Sequence, residues 1–250
     1  MKTLSIVLPC YNEEGNIPLL LKNFELVIKR DDIEVILVDN GSTDKSEQIL
    51  KDLIPKYNFA KTIRVNINKG YGHGIRCGLK VAQGKYLAWT HSDMQTHPKD
   101  VIQALNLIEK NYDDSVKVFV KGLRKGRAIK DKIFTVGMSI FESIYLWTPL
   151  WDINAQPNLF HRSLFDNWYD CPNDFSFDLF YYYIAIKNGY KIVRFNVNFD
   201  KRFYGTSSWN INLKSKFRFI IRTILFTIKF RNRIKTDEKL RNLLISKNKF

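Results

Sequence analysis

The chain has 250 residues, of which 45% are hydrophobic, and three widely separated cysteines. This length allows one sizeable core, and an odd number of cysteines without Cys-x-x-Cys spacing argues against a disulfide framework or a cysteine zinc site. No stretch approaches the roughly 20 apolar residues of a membrane span. Glu13 and Glu14 come too early for a signal peptide, so we expect a protein of the reducing cytoplasm.

The formal net charge of +15 is concentrated near the C-terminus. Residues 201–250 hold 14 lysines and arginines against two acids, whereas residues 1–200 hold 26 basic and 23 acidic residues. A basic segment of this kind favours an anionic partner, which is a membrane surface, a nucleic acid or an acidic protein.

In chain order, short apolar or alternating runs predict strands, and amphipathic stretches between them predict helices. The predicted strands are 4–9, 33–39, 61–67, 85–93, 117–124 and 191–199. The predicted helices are 17–28, 44–57, 98–111, 130–151 and 175–188, with a glycine-rich loop and a short helix in 68–84. Asp44 and Glu47 have capping-box spacing, and residues 152–165 are predicted to be irregular and then apolar. The alternation predicts an α/β fold with a mostly parallel central sheet and flanking helices.

Polar residues follow three of the predicted strands. Pro9 ends the first strand, with Tyr11 and Glu13 just beyond it, and Asp39 and Asp93 end the second and fourth. Ligands of open α/β sheets bind at the carboxyl ends of the strands, so these residues predict one crevice. The alternative is that the acids only cap turns or helices.

Asp93 lies in the segment WTHSDMQTHP, residues 89–98. Mg²⁺ or Mn²⁺ binds oxygen ligands, and phosphates and water often supply most of them. One aspartate with Gln95 nearby is therefore sufficient to bind the metal if the substrate carries a diphosphate. Two alternatives are a zinc site of His91, Asp93 and His97 and a helix cap before Pro98.

The segment NKGYGHG contains Gly70, Gly72 and Gly74. It lacks the full spacing and the position of a dinucleotide-binding fingerprint. Glycines here more simply permit a close approach of the chain or a ligand.

Four segments occur together in this order: IVLPCYNEEGNI, VILVDNGSTDKS, NKGYGHGIRCGLKVAQGKYLAWTHSDMQ and KRFYGTSSW. Together they resemble the inverting family 2 glycosyltransferases with the GT-A (nucleotide-diphospho-sugar transferase) fold, closest to the dolichyl/polyprenyl-phosphate mannosyltransferase branch. The resemblance covers about residues 3–210 of the sequence. It implies a GT-A domain at 1–210. The concentration of basic residues predicts a separate basic, membrane-interface tail at 211–250.

The resemblance also implies the roles of individual residues. Asp93 is the surviving acid of an Asp-x-Asp metal motif, Gln95 is its neighbour in the shell of Mg²⁺ or Mn²⁺, and Arg202 is a catalytic arginine that binds phosphate. The residues implied to bind the nucleotide-sugar donor and its cofactor are Pro9, Tyr11, Glu13, Asp39, His91, Ser92, Gln95 and Arg124.

Two positions depart from the family pattern. His91 replaces the first acid of Asp-x-Asp, and Ser208 stands where the family has a lysine after Gly-x-Ser. The second change removes a positive charge expected to bind the phosphate of a lipid-phosphate acceptor. Lys201 is a candidate to supply that charge instead.

The acceptor side depends on whether the acceptor needs a base. A phosphate acceptor is already an anion, whereas a sugar hydroxyl requires a carboxylate. Asp174 and Asp178 share one face at a predicted helix start, and by resemblance Asp178 is the catalytic acceptor-side acid. The alternative is that Asp174 caps the helix and Asp178 is solvated. Asp152, Asn154 and Gln156 alternate and share a face of an acceptor-side loop, for which the alternative is a plain polar loop.

The basic tail predicts an amphipathic helix at 211–235. Leu213, Phe217, Ile220, Ile224 and Ile228 form an apolar stripe, with basic residues opposite and Phe219 and Phe226 on the polar side. We expect it to lie on an anionic membrane surface; the alternative is a helix packed on the domain with a solvated basic face.

The resulting hypothesis is a metal-dependent inverting glycosyltransferase, peripheral at the cytoplasmic face of the cell membrane. It moves a hexose from a GDP- or UDP-sugar to polyprenyl phosphate. Alternatives are transfer to a sugar hydroxyl of a cell-surface polysaccharide or lipid-linked glycan, and an inactive GT-A scaffold. Nucleic-acid binding fits the charge, but we expect no nucleic-acid partner because no recognition module is present.

Overall fold

The computed structural model describes residues 2–166, 171–200, 202, 204–205 and 213–245, of which residues 213–216, 239, 243 and 245 are described by their backbone alone. The strands are β1 (Leu4–Cys10), β2 (Ile33–Asp39), β3 (Ala60–Arg64), β4 (Tyr86–Trp89), β5 (Val118–Lys125), β6 (Asn158–His161) and β7 (Lys191–Asn198). The helices are α1 (Ile17–Val27), α2 (Ser46–Leu53), α3 (Tyr71–Val81), α4 (Pro98–Asn111), α5 (Ile129–Leu146), α6 (Ser163–Asp166), α7 (Ser176–Lys187), α8 (Leu213–Thr236) and α9 (Glu238–Ile245).

The strands form one sheet in the order β3-β2-β1-β4-β6-β5-β7. Strands β1 to β4 are mutually parallel, as are β5 and β7, and β6 is antiparallel to both of its neighbours. The chain order reverses between β1 and β4, which is where open α/β sheets form their ligand crevice. The predicted mostly parallel sheet is confirmed, except that β6 lies in a segment expected to be irregular.

Several predicted helix boundaries need correction. Helix α2 begins at Ser46 without a side-chain cap, so the expected capping box is wrong. Asp44 instead accepts a hydrogen bond from the Ser46 N–H at 2.9 Å. Helix α5 ends at Leu146 rather than near Trp151, because Trp147 adopts a left-handed conformation with φ of 49°.

Two apolar layers cover the faces of the sheet. Alternate residues of β1 point to opposite faces: Ile6 packs with α1 and α4, and Val7 with α3 and α7. The second layer holds a fully buried aromatic cluster beneath the carboxyl ends of the strands, with Trp89, Phe177 and Tyr181 at centroid separations of 4.7–5.6 Å. Each such side chain contributes about 1.5–3 kcal/mol by burial, which gives the crevice a rigid floor.

Helix α8 packs on the domain through a different face from the one expected. Thr227 and Phe230 are buried, and Phe219 contacts the rings of Phe134 and Phe175. Phe217 is 63% exposed. The aromatic side chains expected on the polar side therefore face the protein: Phe219 has aromatic partners in the domain, and Phe226 packs against the apolar core.

Among the helices that the structure describes, none has the length and apolar character needed to cross a bilayer. The division of the chain at residue 210 stays a prediction. Ser208 and Lys201 lie outside the described residues, as does the side chain of Leu213.

Candidate active site

The site begins where β1, β2 and β4 end. Cys10 pairs with Asp39 in the β1–β2 register, and the Ser92 hydroxyl, just after β4, donates to the Pro9 carbonyl at 2.9 Å. The parallel pairing therefore places three of the predicted strand ends at one edge of the sheet. This supports the predicted single crevice.

The loops at this edge contain residues in left-handed backbone conformations. Asn12, Met94 and Asp152 have φ of 57°, 60° and 43°. Such conformations cost roughly 1 kcal/mol or more for residues other than glycine. Asn12 is held by its side chain, which accepts a hydrogen bond from the Thr43 N–H at 2.9 Å. This contact thus holds the loop after β1 in a fixed shape.

Asp39 is buried, with 1% of its surface exposed. Its carboxylate pairs with Arg64 at 2.6 Å and accepts the Ser42 N–H at 2.9 Å. The side chain therefore caps the turn after β2, as the alternative allowed, and does not cap a helix. It is also oriented by an arginine from the neighbouring strand. Arg64 also pairs with Glu47, and nothing in the sequence pattern had singled it out.

Glu13 and Tyr11 follow β1. Tyr11 is 46% exposed, so its ring is available to a ligand. Glu13 is half-buried and accepts a hydrogen bond from Asn16 at 2.5 Å. Burial raises the pKa of Glu13 to about 7, and the negative charge of Asp93 contributes in the same direction. Glu13 therefore lies within electrostatic reach of Asp93.

Asp93 is 3% exposed and forms an ion pair of 2.7 Å with Arg202. The same guanidinium donates to the Gln95 side-chain oxygen at 3.2 Å, and the Gln95 N–H donates to Asp93 at 3.1 Å. Gln95 also holds the chain after β7 through hydrogen bonds with the Asp200 backbone of 3.0 and 3.2 Å. A positive charge of the protein thus contacts both predicted metal-shell side chains.

The donor set at Asp93 fits a hard cation that takes most of its ligands from phosphate and water. The buried Asp93 carboxylate and the Gln95 amide oxygen both contact the positively charged Arg202 guanidinium, so they already surround a cationic group. The zinc alternative is not supported, because the described residues contain no cluster of three or more His, Cys, Asp and Glu side chains able to hold a metal. His97 instead caps α4, accepting the Lys99 N–H at 3.0 Å, so the helix-cap alternative for Asp93 is also wrong.

His91 lies between the two sides of the crevice. Burial lowers the pKa of His91, while the charges of Asp93 and Asp178 raise it and those of Arg202 and Arg124 lower it. All four charged groups are therefore close to this one imidazole. The residue that replaces the first acid of the metal motif is a neutral ring at physiological pH.

Arg124 is bound within the protein. Its Nε donates to Asp152 at 2.9 Å, its backbone N–H donates to the same carboxylate at 3.1 Å, and its guanidinium lies 5.4 Å from the Phe199 ring centroid. Arg127 lies 5.8 Å from the same ring and was not anticipated. These contacts place two arginines beside the loop that follows α5.

Asp178 is 1% exposed and is surrounded by N–H donors. One carboxylate oxygen accepts from Trp89 at 2.8 Å, Gln156 at 3.1 Å and Asn158 at 3.4 Å, and the other accepts from Asn154 at 3.2 Å. Asp178 is therefore not solvated. The predicted shared face of Asn154 and Gln156 is directed at this carboxylate, whereas Asp152 pairs with Arg124.

Helix α7 has no side-chain cap at Phe175, and Asp174 accepts one hydrogen bond at the helix start, from the Ser176 N–H at 3.0 Å. The network around Asp178 also contains Lys121, which is fully buried and donates to Asn158 at 2.7 Å. Burial lowers the pKa of Lys121 to about 7. Sequence reasoning missed Lys121 and Trp89 because both lie in strands that read as plain core.

Residues 5–168 match the Glycosyl transferase family 2 model. An undecaprenyl-phosphate 4-deoxy-4-formamido-L-arabinose transferase of Pseudomonas fluorescens (strain Pf0-1) is 33% identical over 131 residues, which are 51% of this chain and 38% of the relative. The corresponding transferase of Photorhabdus laumondii is 34% identical over 116 residues, which are 45% of this chain and 36% of that relative. The matches thus span less than two fifths of these relatives.

Solved structures show the same fold. Glucosyl-3-phosphoglycerate synthase from Mycobacterium tuberculosis, in complex with Mn²⁺, uridine diphosphate and glucosyl-3-phosphoglycerate, aligns with a TM-score of 0.65 and 18% identity. The alignment covers 90% of this chain and 80% of the synthase. The complex of that synthase with Mn²⁺ and UDP-glucose has a TM-score of 0.68 at 18% identity, covering 90% and 79%. The expected family and GT-A fold are confirmed, and the chain belongs to glycosyl transferase family 2.

Proposed function

We propose that this chain is a metal-dependent inverting glycosyltransferase that moves a hexose from a GDP- or UDP-sugar to polyprenyl phosphate at the cytoplasmic membrane face. The observation that carries the proposal is Asp93, buried in the loop that follows β4 and paired with Arg202 at 2.7 Å. The name of the undecaprenyl-phosphate transferases and the Mn²⁺ and uridine diphosphate in the synthase complex support the acceptor and donor classes.

Asp93 and Gln95 would hold Mg²⁺ or Mn²⁺, which when bound neutralises the charge that develops on the departing nucleoside diphosphate. The long Arg202 side chain contacts both residues, so it can transfer its contact from Asp93 to a phosphate oxygen. Asp39, Tyr11 and the neighbouring backbone of Pro9 form the nucleoside side of the crevice. Glu13, His91 and Ser92 connect this side to Asp93.

The surroundings of Asp178 favour a phosphate acceptor over a sugar hydroxyl. A general base must come within hydrogen-bond reach of the proton it removes. Asp178 is 1% exposed, and four N–H groups of the protein already surround its carboxylate. A phosphate is already an anion and needs no base. The Asp178 carboxylate then serves to position Asn154 and Gln156 on the acceptor side.

The surface of α5 and α8 supports attachment to a membrane. Helix α5 exposes apolar side chains at positions that share one face, and α8 exposes a second row with a spacing of four. These residues are Ile129, Ile133, Ile140, Ile144, Phe217, Ile221 and Leu225, with exposures of 42–74%. Trp147, which follows α5, is 78% exposed. We call these eight residues the α5–α8 surface.

Exposed basic residues lie on the same two helices; they are Lys130, Lys132, Arg218, Arg222 and Lys229. Apolar and aromatic side chains together with lysine and arginine are typical of helices that lie in the interface of an anionic membrane. Within the predicted partner segment, residues 211–235, the described side chains Phe217, Ile221 and Leu225 supply one half of this surface, and α5 supplies the other.

The donor site is tested by thermal unfolding with UDP, GDP and their sugar conjugates, with and without Mn²⁺. A ligand at about 100 times its Kd stabilises the folded state by about 2.7 kcal/mol, which raises Tm by about 5–10 °C for a chain of this size. Asp93→Ala should lose the metal-dependent increase, whereas Asp52→Ala, at an exposed position on α2, should keep it. A wild type that no nucleotide stabilises with any metal would contradict the proposal.

Membrane attachment is tested by cosedimentation with phosphatidylcholine vesicles that contain or lack phosphatidylglycerol. Ile133→Ser combined with Ile144→Ser should weaken binding by tenfold or more, because each buried side chain contributes about 1.5 kcal/mol or more. Ile67→Ser is the matched control, since Ile67 is 68% exposed but lies outside the α5–α8 surface. Equal binding of all three proteins would refute the membrane role of this surface.

A further inference from the structure

The glycine-rich segment NKGYGHG holds one side chain that the proposed function does not use, that of Tyr71 at the start of α3. Gly70 has a φ of 115°, and a Cβ on Gly72 would lie 2.6 Å from the Pro172 carbonyl oxygen and 2.8 Å from that of Asp174. The two glycines therefore let the first turn of α3 pack directly on the chain before α7. This close packing fixes the position of Tyr71.

The ring of Tyr71 lies between the two halves of the crevice. It stacks on Phe175, with centroids 4.7 Å apart and planes at 16°, and it lies 5.8 Å from the His91 ring. Phe175 precedes α7 and is three residues from Asp178, while His91 is two residues from Asp93. The phenol is thus placed between the diphosphate side and the acceptor side, which is where a transferred sugar must lie.

The hydrogen bonds next to Tyr71 have a fixed direction. Lys121, whose side-chain nitrogen is a donor here, contacts the Asn158 oxygen at 2.7 Å. The Asn158 amide nitrogen then donates to the Gln156 oxygen at 2.7 Å. The Gln156 amide nitrogen in turn donates to the Tyr71 hydroxyl oxygen at 2.8 Å and to Asp178 at 3.1 Å.

This direction leaves the Tyr71 O–H proton available as a donor. The phenol oxygen already accepts from Gln156, and no residue that the structure describes accepts a hydrogen bond from the phenol. Burial raises the pKa of Tyr71 well above its ordinary value, and the charges of Asp178 and Asp93 raise it further. The hydroxyl is therefore protonated at neutral pH.

We propose that the Tyr71 hydroxyl donates a hydrogen bond to a hydroxyl of the transferred sugar and so determines which nucleotide sugars bind. The inference rests on the proposed function, because it requires a nucleotide-sugar donor at Asp93. The Tyr71 hydroxyl would recognise a hydroxyl on the sugar ring that accepts its hydrogen bond and lies next to the stacked rings of Tyr71 and Phe175.

The test is calorimetric binding of nucleotides to wild type and Tyr71→Phe in the presence of Mn²⁺. The probes are UDP, GDP, UDP-glucose, UDP-galactose, UDP-xylose and GDP-mannose. Tyr71→Phe keeps the ring and removes the hydroxyl. The matched control is Tyr190→Phe, because Tyr190 is also buried and hydrogen-bonded, 3.2 Å from Ser163, but lies at the opposite end of the sheet.

The expected result is a selective loss in Tyr71→Phe. Its affinity for the nucleoside diphosphate alone should stay within about twofold of wild type, while its affinity for the preferred nucleotide sugar should fall about five- to tenfold, the usual effect of one hydrogen bond. A sugar that lacks the recognised hydroxyl should lose nothing. Tyr190→Phe should bind all probes as wild type does.

Equal weakening of nucleotide and nucleotide sugar in Tyr71→Phe would overturn the inference, because Tyr71 would then only support the fold of the site. Unchanged affinity for every sugar would overturn it as well. A wild type that binds none of the probes would instead overturn the proposed function, and this inference with it. That outcome is recognised without any variant.

Discussion

Glu142 lies inside the contact between α5 and α8, and we predict that Glu142→Gln makes the protein more stable above neutral pH. The side chain is fully buried. One carboxylate oxygen accepts a hydrogen bond from Thr227 of α8 at 2.6 Å, and the other has no hydrogen-bond partner among the described residues. A carboxylate in this position is desolvated and unpaired, so its ionised form is disfavoured in the folded state.

The structure gives the size and the sign of this effect. Burial raises the pKa of Glu142 from 4.5 to about 7. At about 1.4 kcal/mol per pKa unit, the difference is about 3 kcal/mol. Because the folded-state pKa is the higher one, the favourable contribution is fully present below about pH 4.5 and is lost as the pH rises to about 7. Above that pH, wild type buries a charge that the glutamine variant does not have.

The assay is urea unfolding of wild type and Glu142→Gln at about pH 4.5 and about pH 8, where ionisation of this group differs. At the higher pH the variant should gain about 2–3 kcal/mol, or about 5–10 °C in Tm. At the lower pH the two proteins should agree within about 1 kcal/mol, the net value of a typical hydrogen bond. Glu25→Gln, at an exposed position of α1, controls for loss of one surface charge.

The reasoning would be refuted by a stability difference between wild type and Glu142→Gln that is the same at both pH values. It would also be refuted if Glu25→Gln produced the same pH dependence. Either result would mean that α5 and α8 do not hold Glu142 away from water. The packing of α8 on the domain would then need another account.

Two further predictions concern the crevice. Gly72→Ala should lower the free energy of unfolding by about 1–3 kcal/mol, because the new Cβ would lie 2.6 Å from the Pro172 carbonyl oxygen. Gly137→Ala, whose Cβ would meet nothing within 4 Å, should change urea unfolding little or increase stability. Asp178→Asn should lower the free energy of unfolding by about 1–3 kcal/mol, because the new amide N–H would face an N–H donor such as that of Gln156. Transfer to a polyprenyl phosphate should then fall by at most about tenfold, whereas a fall of about 10²–10⁴ in kcat would show that Asp178 is a base.

Local sequence determined the parts of this fold that depend on local pattern. Strand β2 is a run of apolar residues that ends at an acid, and α4 opens with Pro98 and continues with helical periodicity; both have the predicted bounds. The polar residues at the ends of β1, β2 and β4 also predicted the crevice, because parallel strands must end at one edge of a sheet. The motif segments sufficed to predict the family.

Partners distant in the sequence could not be predicted in the same way. Strand β6 has only four residues, and it exists because it pairs with β4 on one side and with β5 on the other. The pairing of Asp93 with Arg202 joins residues more than 100 positions apart.

The direction of a side chain is likewise a tertiary property. The stripe of α8 was misassigned because Phe219 and Phe226 read as interruptions of a basic face, yet Phe134 and Phe175 give Phe219 aromatic partners. Asp178 read as an acid free to act, and the four N–H groups around it come from β4, β6 and the loop before β6. Sequence determined which chemical groups the crevice contains, because local pattern places them at strand ends. Only the tertiary structure decided which of those groups are already paired, because hydrogen bonds and ion pairs are satisfied by neighbours in space.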